Sequence, residues 1–325
     1  MTKIAFPFTL LVTVLVCLAP AAPAQAQAAR TFVSAAGSDS NNCTTPATPC
    51  RHLQSAYSAT SPGGEIAVLD PANYGSLTIT GPISIEGNNG WAFLSAGSGA
   101  AAITINALGA TDKINIRGVV LDGLGTANNT GIQFNSGGTL TVGDSLIRNF
   151  GNVGILFQPN SSGQSQLFVS NTLVSDNTGD GIQIFPSGSG TTLAALDHVE
   201  MENNEASGVE AVLSTQTVNV TVSDSVSANN VIGIAANVPI VSQRANAAAG
   251  GSVVSIMVRN STIANNSLSG LLANSGTVLV TRSTITGNAT AWTAADSGVV
   301  SSYGDNNIDG NTNVNTEPPN PLPYK

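Results

Sequence analysis

The chain has 325 residues, of which 42% are hydrophobic, 9% charged and 5% aromatic, with a formal net charge of −9. A low charged fraction beside a normal apolar fraction argues against a disordered chain. Ten Lys and Arg residues spread over the whole length provide no phosphate-neutralising patch, so nucleic acid is not an expected partner.

Residues 1–26 read as an export signal: Lys3 supplies the positive start, Ile4 to Leu18 is an apolar run, and APAAPAQAQA offers cleavage near Ala26 or Ala28. The run is short for a bilayer span, so no stable membrane anchor is expected. Cys17 raises a lipoprotein alternative, but Val16 stands where a small residue would precede the lipidated cysteine. The remainder is long enough for one large domain or two small ones, and nothing marks a second. The expected destination is secreted or periplasmic.

Cys43 and Cys50, in CTTPATPC, read as a small disulfide loop. A metal site there would have only His52 as a further ligand, and no metal or other cofactor is expected. Arg51 to Thr60 is the one convincing short helix, with Leu53, Ala56 and Tyr57 on one face and Pro62-Gly63-Gly64 after it.

From there the chain repeats. Copies begin at Asp144, Asn171, Asp197, Asp224, Asn260 and Arg282, spaced 27, 26, 27, 36 and 22 residues apart, the 36 containing an insertion around ANVPIVSQRANAAAGG. Each holds three short runs of alternating apolar residues, which is strand periodicity. Three short strands cannot bury an inner face alone, but can do so by coiling, each strand pairing in parallel with its counterpart about 4.8 Å away. The expected fold is all-β, a solenoid over residues 30–311 capped by the short helix, with an irregular Pro-rich tail over 312–325. Four positions before a glycine stand Asn177, Asn204, Asn229 and Asn266, expected to stack as a turn ladder. The glycines at 154, 181, 208, 233 and 270 are expected to give backbone freedom into the next strand. Phe134, Phe157 and Phe185 are expected to form an inward stack.

With RTFVSAAGSD, TPCRHLQSAYSAT, GGEIAVLDPANYGSLTITGPISI and SSYGDNNIDGN, the chain resembles the right-handed parallel β-helix proteins of the pectin-lyase-like superfamily, and more narrowly exported bacterial proteins with that repeat. The resemblance implies a polysaccharide partner along one outer face.

Two residues past each glycine the outward column reads Gln133, Leu156, Gln183, Glu210, Ala235 and Leu272; one residue before, it reads Thr130, Val153, Asp180, Ser207, Ile232 and Ser269. Gln133, Asp180, Gln183 and Glu210 are the candidate substrate-binding residues, and Asp180 with Glu210 the candidate catalytic pair. NTGDG at 177–181 resembles the NTDDG motif of polygalacturonases, with Gly179 where the first acid should stand and Ala206-Ser207-Gly208 where a Gly-His-Gly should follow. A lyase would need a basic residue set among acids, and no Arg or Lys shows such a pattern. Asp197-His198 superficially resembles a pectate-lyase motif, but His198 aligns with Ser145, Thr172, Ser225 and Ser261, a turn-proximal polar slot. The alternatives are therefore a polysaccharide-binding and depolymerising protein, or a non-catalytic structural or adhesive scaffold. A monomer is expected.

Overall fold

The computed structural model describes residues 27–212, 216–237, 253–318 and 322–323. The expected leader and most of the expected insertion lie outside the described residues. Strands are numbered along the chain from β1 (Ala28–Val33) to β28 (Asn307–Ile308), with one helix among the described residues, α1 (Leu53–Ala59).

Every pairing between strands is parallel, and each strand pairs with its counterpart one coil away. β11 (Thr139–Gly143), for example, pairs with β8 (Lys113–Arg117) and β14 (Gln164–Ser175). A coil runs through two strand positions of a 19-stranded sheet, then through one strand of a separate nine-stranded sheet. The nine are β4 (Leu77–Ile79), β7 (Ala101–Asn106), β10 (Thr130–Ser136), β13 (Ile155–Phe157), β15 (Ile182–Ile184), β17 (Ser207–Val212), β20 (Ile232–Asn237), β23 (Ser269–Asn274) and β26 (Trp292–Ala295). The protein is a parallel β-helix.

Alternation drives the coil closed. In β15 the burial pattern is buried, half-buried, buried over IQI, and the same pattern holds over ILF in β13. The inward residues form one continuous core in which Ile132, Ile155, Ile182, Val209, Ile234 and Leu271 are all fully buried. Phe134 and Phe157 stack with ring centroids 4.5 Å apart. Phe185 does not join them: Ile184 is the residue in register with Phe157, and Phe185, one position on, is 41% exposed. It stands four places past its glycine, where Phe134 and Phe157 stand three past theirs, so alternation turns it outward.

Two columns of left-handed backbone make the corners. Asp144, Asn171, His198, Asp224, Asn260 and Arg282 all have φ between 47° and 54° and bend the coil between its first two strand positions. His198 therefore belongs to this bend and not to the Ser145, Thr172, Ser225, Ser261 column. Val199 is its neighbour in that column, in register with Thr172. The second corner uses Asn149, Asp176, Asn203, Asn229 and Asn265, with φ of 56° or 57°. Asn and Asp tolerate this region better than most side chains.

The asparagine ladder sits immediately after that second corner. Asn177 Nδ2 donates to Asn204 Oδ1, Asn204 Nδ2 to Asn230 Oδ1, Asn230 Nδ2 to Asn266 Oδ1, Asn266 Nδ2 to Asn288 Oδ1 and Asn288 Nδ2 to Asn311 Oδ1. The expected member Asn229 is thus a corner residue, exposed, and Asn230 holds the ladder position. The cause is a turn one residue shorter, with two residues between Asn230 and Gly233 where three separate Asn204 from Gly208.

The glycines after the ladder are there for space. None of Gly154, Gly181, Gly208, Gly233 or Gly270 has a positive φ, but a Cβ on each would lie within 2.8 Å of a backbone oxygen on the next coil. Each such Cβ would also approach a ladder asparagine amide nitrogen to 3.0 Å or less.

At the first coil, α1 lies against β4, the outermost strand of the nine-stranded sheet. Gln54 accepts from the Thr78 N–H and donates to the Thr78 carbonyl, and Tyr57 Oη accepts from the Thr80 N–H. The helix thereby occupies backbone groups that another strand would otherwise pair. Cys43 and Cys50 form a disulfide in the loop before α1. At the far end, residues of the tail cross the last coil: Trp292 Nε1 donates to the Thr316 carbonyl, and Glu317 accepts from the Asn306 N–H.

Candidate functional site

The outer face of the nine-stranded sheet carries the residues of interest. Register places Thr104, Gln133, Leu156, Gln183, Glu210, Ala235, Leu272 and Thr293 in one column. A second column two residues further on contains Asn135, Gln158, Phe185, Val212, Asn237 and Asn274.

Gln183 and Glu210 are register partners on β15 and β17. The Gln183 Nε2 donates to Asp180 Oδ2 at 2.9 Å and to Glu210 Oε2 at 2.8 Å. The remaining oxygens are also engaged: Asp180 Oδ1 accepts from the Ser207 N–H at 2.8 Å, and Glu210 Oε1 from Asn237 Nδ2 at 3.1 Å. Asp180, Gln183 and Glu210 thus form one cluster. Gln133 stands apart from it, two coils away beyond Leu156, and donates to Asn135.

Asp180 is not a solvated surface acid. It is 6% exposed, and its column is mostly buried, covered by the residues of the adjoining coils and strand: its two oxygens are engaged by the Ser207 N–H and by Gln183 Nε2. Burial, and secondarily the Glu210 carboxylate beside it, push its carboxyl up to about 7, against the lowering pull of the Ser207 hydrogen bonds. Two carboxyls bonded by one nitrogen have those oxygens no more than about 5.7 Å apart. The arrangement can share or pass a proton near neutral pH, with Asp180 as the acid. Gly179, at the position of the missing first acid, packs against the Asn152 backbone, where its Cβ would lie 3.0 Å from the carbonyl oxygen.

The sequence reading missed a second feature. A groove of about 650 Å³ follows the first corner, with Val120, Leu146 and Leu173 in its floor and Asp144, Asn171, His198 and Glu200 along it. Two of its ionisable groups, Asp144 and His198, are paired locally. Arg117 Nε lies 2.6 Å from Asp144, and His198 Nδ1 lies 3.0 Å from Asp197, whose hydrogen bond raises the imidazole above its ordinary value. The only hint in the sequence was the column of corner residues.

The basic residues turn out to be patterned. Arg30 pairs with Glu65, Arg117 with Asp144, Arg148 with Asp122 and Arg259 with Asp224, in each case across adjacent coils. All of these pairs lie on the 19-stranded sheet or its corners, away from Asp180. Among the described residues, no three His, Cys, Asp or Glu side chains come together as a metal site, and no helix is long and apolar enough to cross a membrane.

No known protein family matches the chain, and no curated protein is similar to it in sequence. Among solved structures it is similar to pectate lyase Pel9A, with a TM-score of 0.46 and 13% identity over 84% of this chain and 74% of that one.

Proposed function

We propose that this is an exported β-helix protein that binds extracellular or envelope polysaccharide along the outer face of its nine-stranded sheet. Any depolymerising activity resides in Asp180 and Glu210. The observation that carries the reading is the Gln183 amide joining these two acids across β15 and β17, in a face otherwise lined by carboxamides, threonines and apolar side chains. Acids gathered on one protein face, one of them shifted into the neutral range by burial and its partner, are a common mark of a functional site. Export is supported by the apolar N-terminal run and by a disulfide, which persists in oxidising compartments.

A scaffold role is the second reading. It is favoured by the internal hydrogen bonding of all four carboxylate oxygens, which leaves Asp180 little room to meet a substrate.

Incubation of the purified protein with acidic and neutral polysaccharides separates the two. Binding, with new reducing ends or unsaturated products that vanish in Asp180→Asn, supports the enzymatic form. Binding without turnover leaves a lectin-like protein, and absence of both sinks the proposal in favour of the scaffold.

A further inference from the structure

We infer that Phe185 is the stacking platform of a glycan subsite on this face, and that the chain it takes is neutral and hydroxyl-rich, not a polyuronate. The inference rests on the polysaccharide-binding reading above and names its ligand class.

A single exposed aromatic residue is ordinary. The neighbours of Phe185 are not. It extends β15 outward, with its N–H donating to the Phe157 carbonyl at 2.9 Å, so its ring stands on the same side of the strand as Gln183, two residues before it. Gln158 is in line with it on the coil before, and Gln158 Nε2 is bonded to Asn135 Oδ1 at 2.7 Å. Glu210 lies diagonally on the coil after, in register with Gln183. An apolar ring is therefore bordered by the carboxamides of Gln158 and Gln183 and the carboxylate of Glu210, with Val212 in line with it on the coil after. The Gln183 amide nitrogen is engaged by Asp180 and Glu210, so that side chain presents its oxygen as an acceptor. A pyranose presents the matching pattern, with an apolar face of C–H groups and a rim of hydroxyls. Among the described residues the other two exposed aromatics, Trp91 and Phe168, lie on the side of the 19-stranded sheet, away from the Asp180–Gln183–Glu210 cluster.

Charge decides the class of sugar. Among the described residues, none of the nine strands of this sheet contains Lys, Arg or His, whereas Glu210 lies on it and Asp180 immediately before β15. Recognition of a polyuronate or sulfated glycan would need cations to offset its carboxylates or sulfates. Here such a chain would meet the Glu210 carboxylate, of its own sign. A neutral chain meets no such repulsion, and its hydroxyls can bond amides and carboxylates alike.

Affinity electrophoresis through gels containing soluble β-glucan, galactomannan, polygalacturonate or chitosan tests this. The expected result is retardation by at least one neutral polymer and none by polygalacturonate, with Phe185→Ala weakening binding about tenfold or more. Phe185→Trp should retain binding, and Phe168→Ala should match the wild type. Unchanged thermal unfolding of Phe185→Ala would show that the loss is local. Wild-type binding that Phe185→Ala leaves unchanged, or retardation mainly by polygalacturonate or chitosan, overturns this inference and leaves the broader proposal standing. No binding to any polymer overturns both.

Discussion

Gln183 and Glu210 face each other across β15 and β17, Nε2 to Oε2 at 2.8 Å, and the same nitrogen also holds Asp180. Their register equivalents on the neighbouring coils are Leu156 and Ala235, so the polar contact is one interruption in an otherwise weakly polar column. The column therefore tolerates a leucine sterically. Gln183→Leu removes two hydrogen bonds to charged groups and leaves two acids facing each other without a bridge. The expected loss is about 2–4 kcal/mol at neutral pH, read from the urea midpoint. It should shrink near pH 5, where Asp180 is protonated and the repulsion is relieved. A loss that does not depend on pH would mean that the amide serves packing alone.

The same cluster fixes a pH dependence. Asp180 has a folded-state pKa raised to about 7 by burial and by Glu210. A raised acid binds its proton more tightly in the folded state, so its contribution is fully present below its ordinary value of 3.8 and is lost as pH rises through about 7. Wild-type stability should therefore fall across this window, by on the order of 2–4 kcal/mol from this residue. Asp180→Asn presents a donor resembling the protonated acid and should flatten that part of the curve, becoming more stable than wild type above pH 7. Parallel pH–stability curves for the two proteins would refute the assignment.

The ladder gives a test that separates adjacent asparagines. Asn230 is 2% exposed, accepts from the Asn204 N–H and Nδ2, and donates to the Met201 carbonyl. Replacing it with alanine strands those partners in the interior and should cost about 2–4 kcal/mol. Asn229, at φ 57°, is exposed at the corner. Asn229→Ala should cost only about 1 kcal/mol through the left-handed backbone, and Asn229→Gly almost nothing. Denaturant titration of the three variants would settle which residue belongs to the ladder.

That pair also shows how far the sequence could be read. The coil itself was legible because its signal repeats: Ile132, Ile155, Ile182, Val209, Ile234 and Leu271 each follow a glycine and each point inward. The column of Gln133, Gln183 and Glu210 followed from the same count. The errors at Asn229, His198 and Phe185 are each shifts of one residue. At Asn229 the turn is one residue shorter than on the coil before; Phe185 and His198 lie one residue from their register positions on coils of unchanged length, and one residue is enough to exchange ladder for corner or inside for outside. The burial of Asp180 depends on the path of the turn entering β15, and the ion pairs Arg117–Asp144 and Arg148–Asp122 join residues a whole coil apart. Neither leaves a local pattern.

Gly208 offers the sharpest test of close packing between coils. A Cβ there would lie 2.2 Å from Ser227 Oγ, 2.8 Å from the Gly233 carbonyl oxygen and 3.0 Å from Asn230 Nδ2. The serine can rotate only by giving up its own bond to the Gly233 carbonyl, and the backbone oxygen belongs to the next coil and cannot move alone. Gly208→Ala should therefore cost about 2–3 kcal/mol despite the normal backbone conformation. Gly97 has no neighbour within 4 Å of its Cβ position and no positive φ. Gly97→Ala should be neutral or stabilise by up to about 1 kcal/mol through the unfolded chain. If the glycine column supplied flexibility and not space, the two variants would behave alike in thermal and urea unfolding.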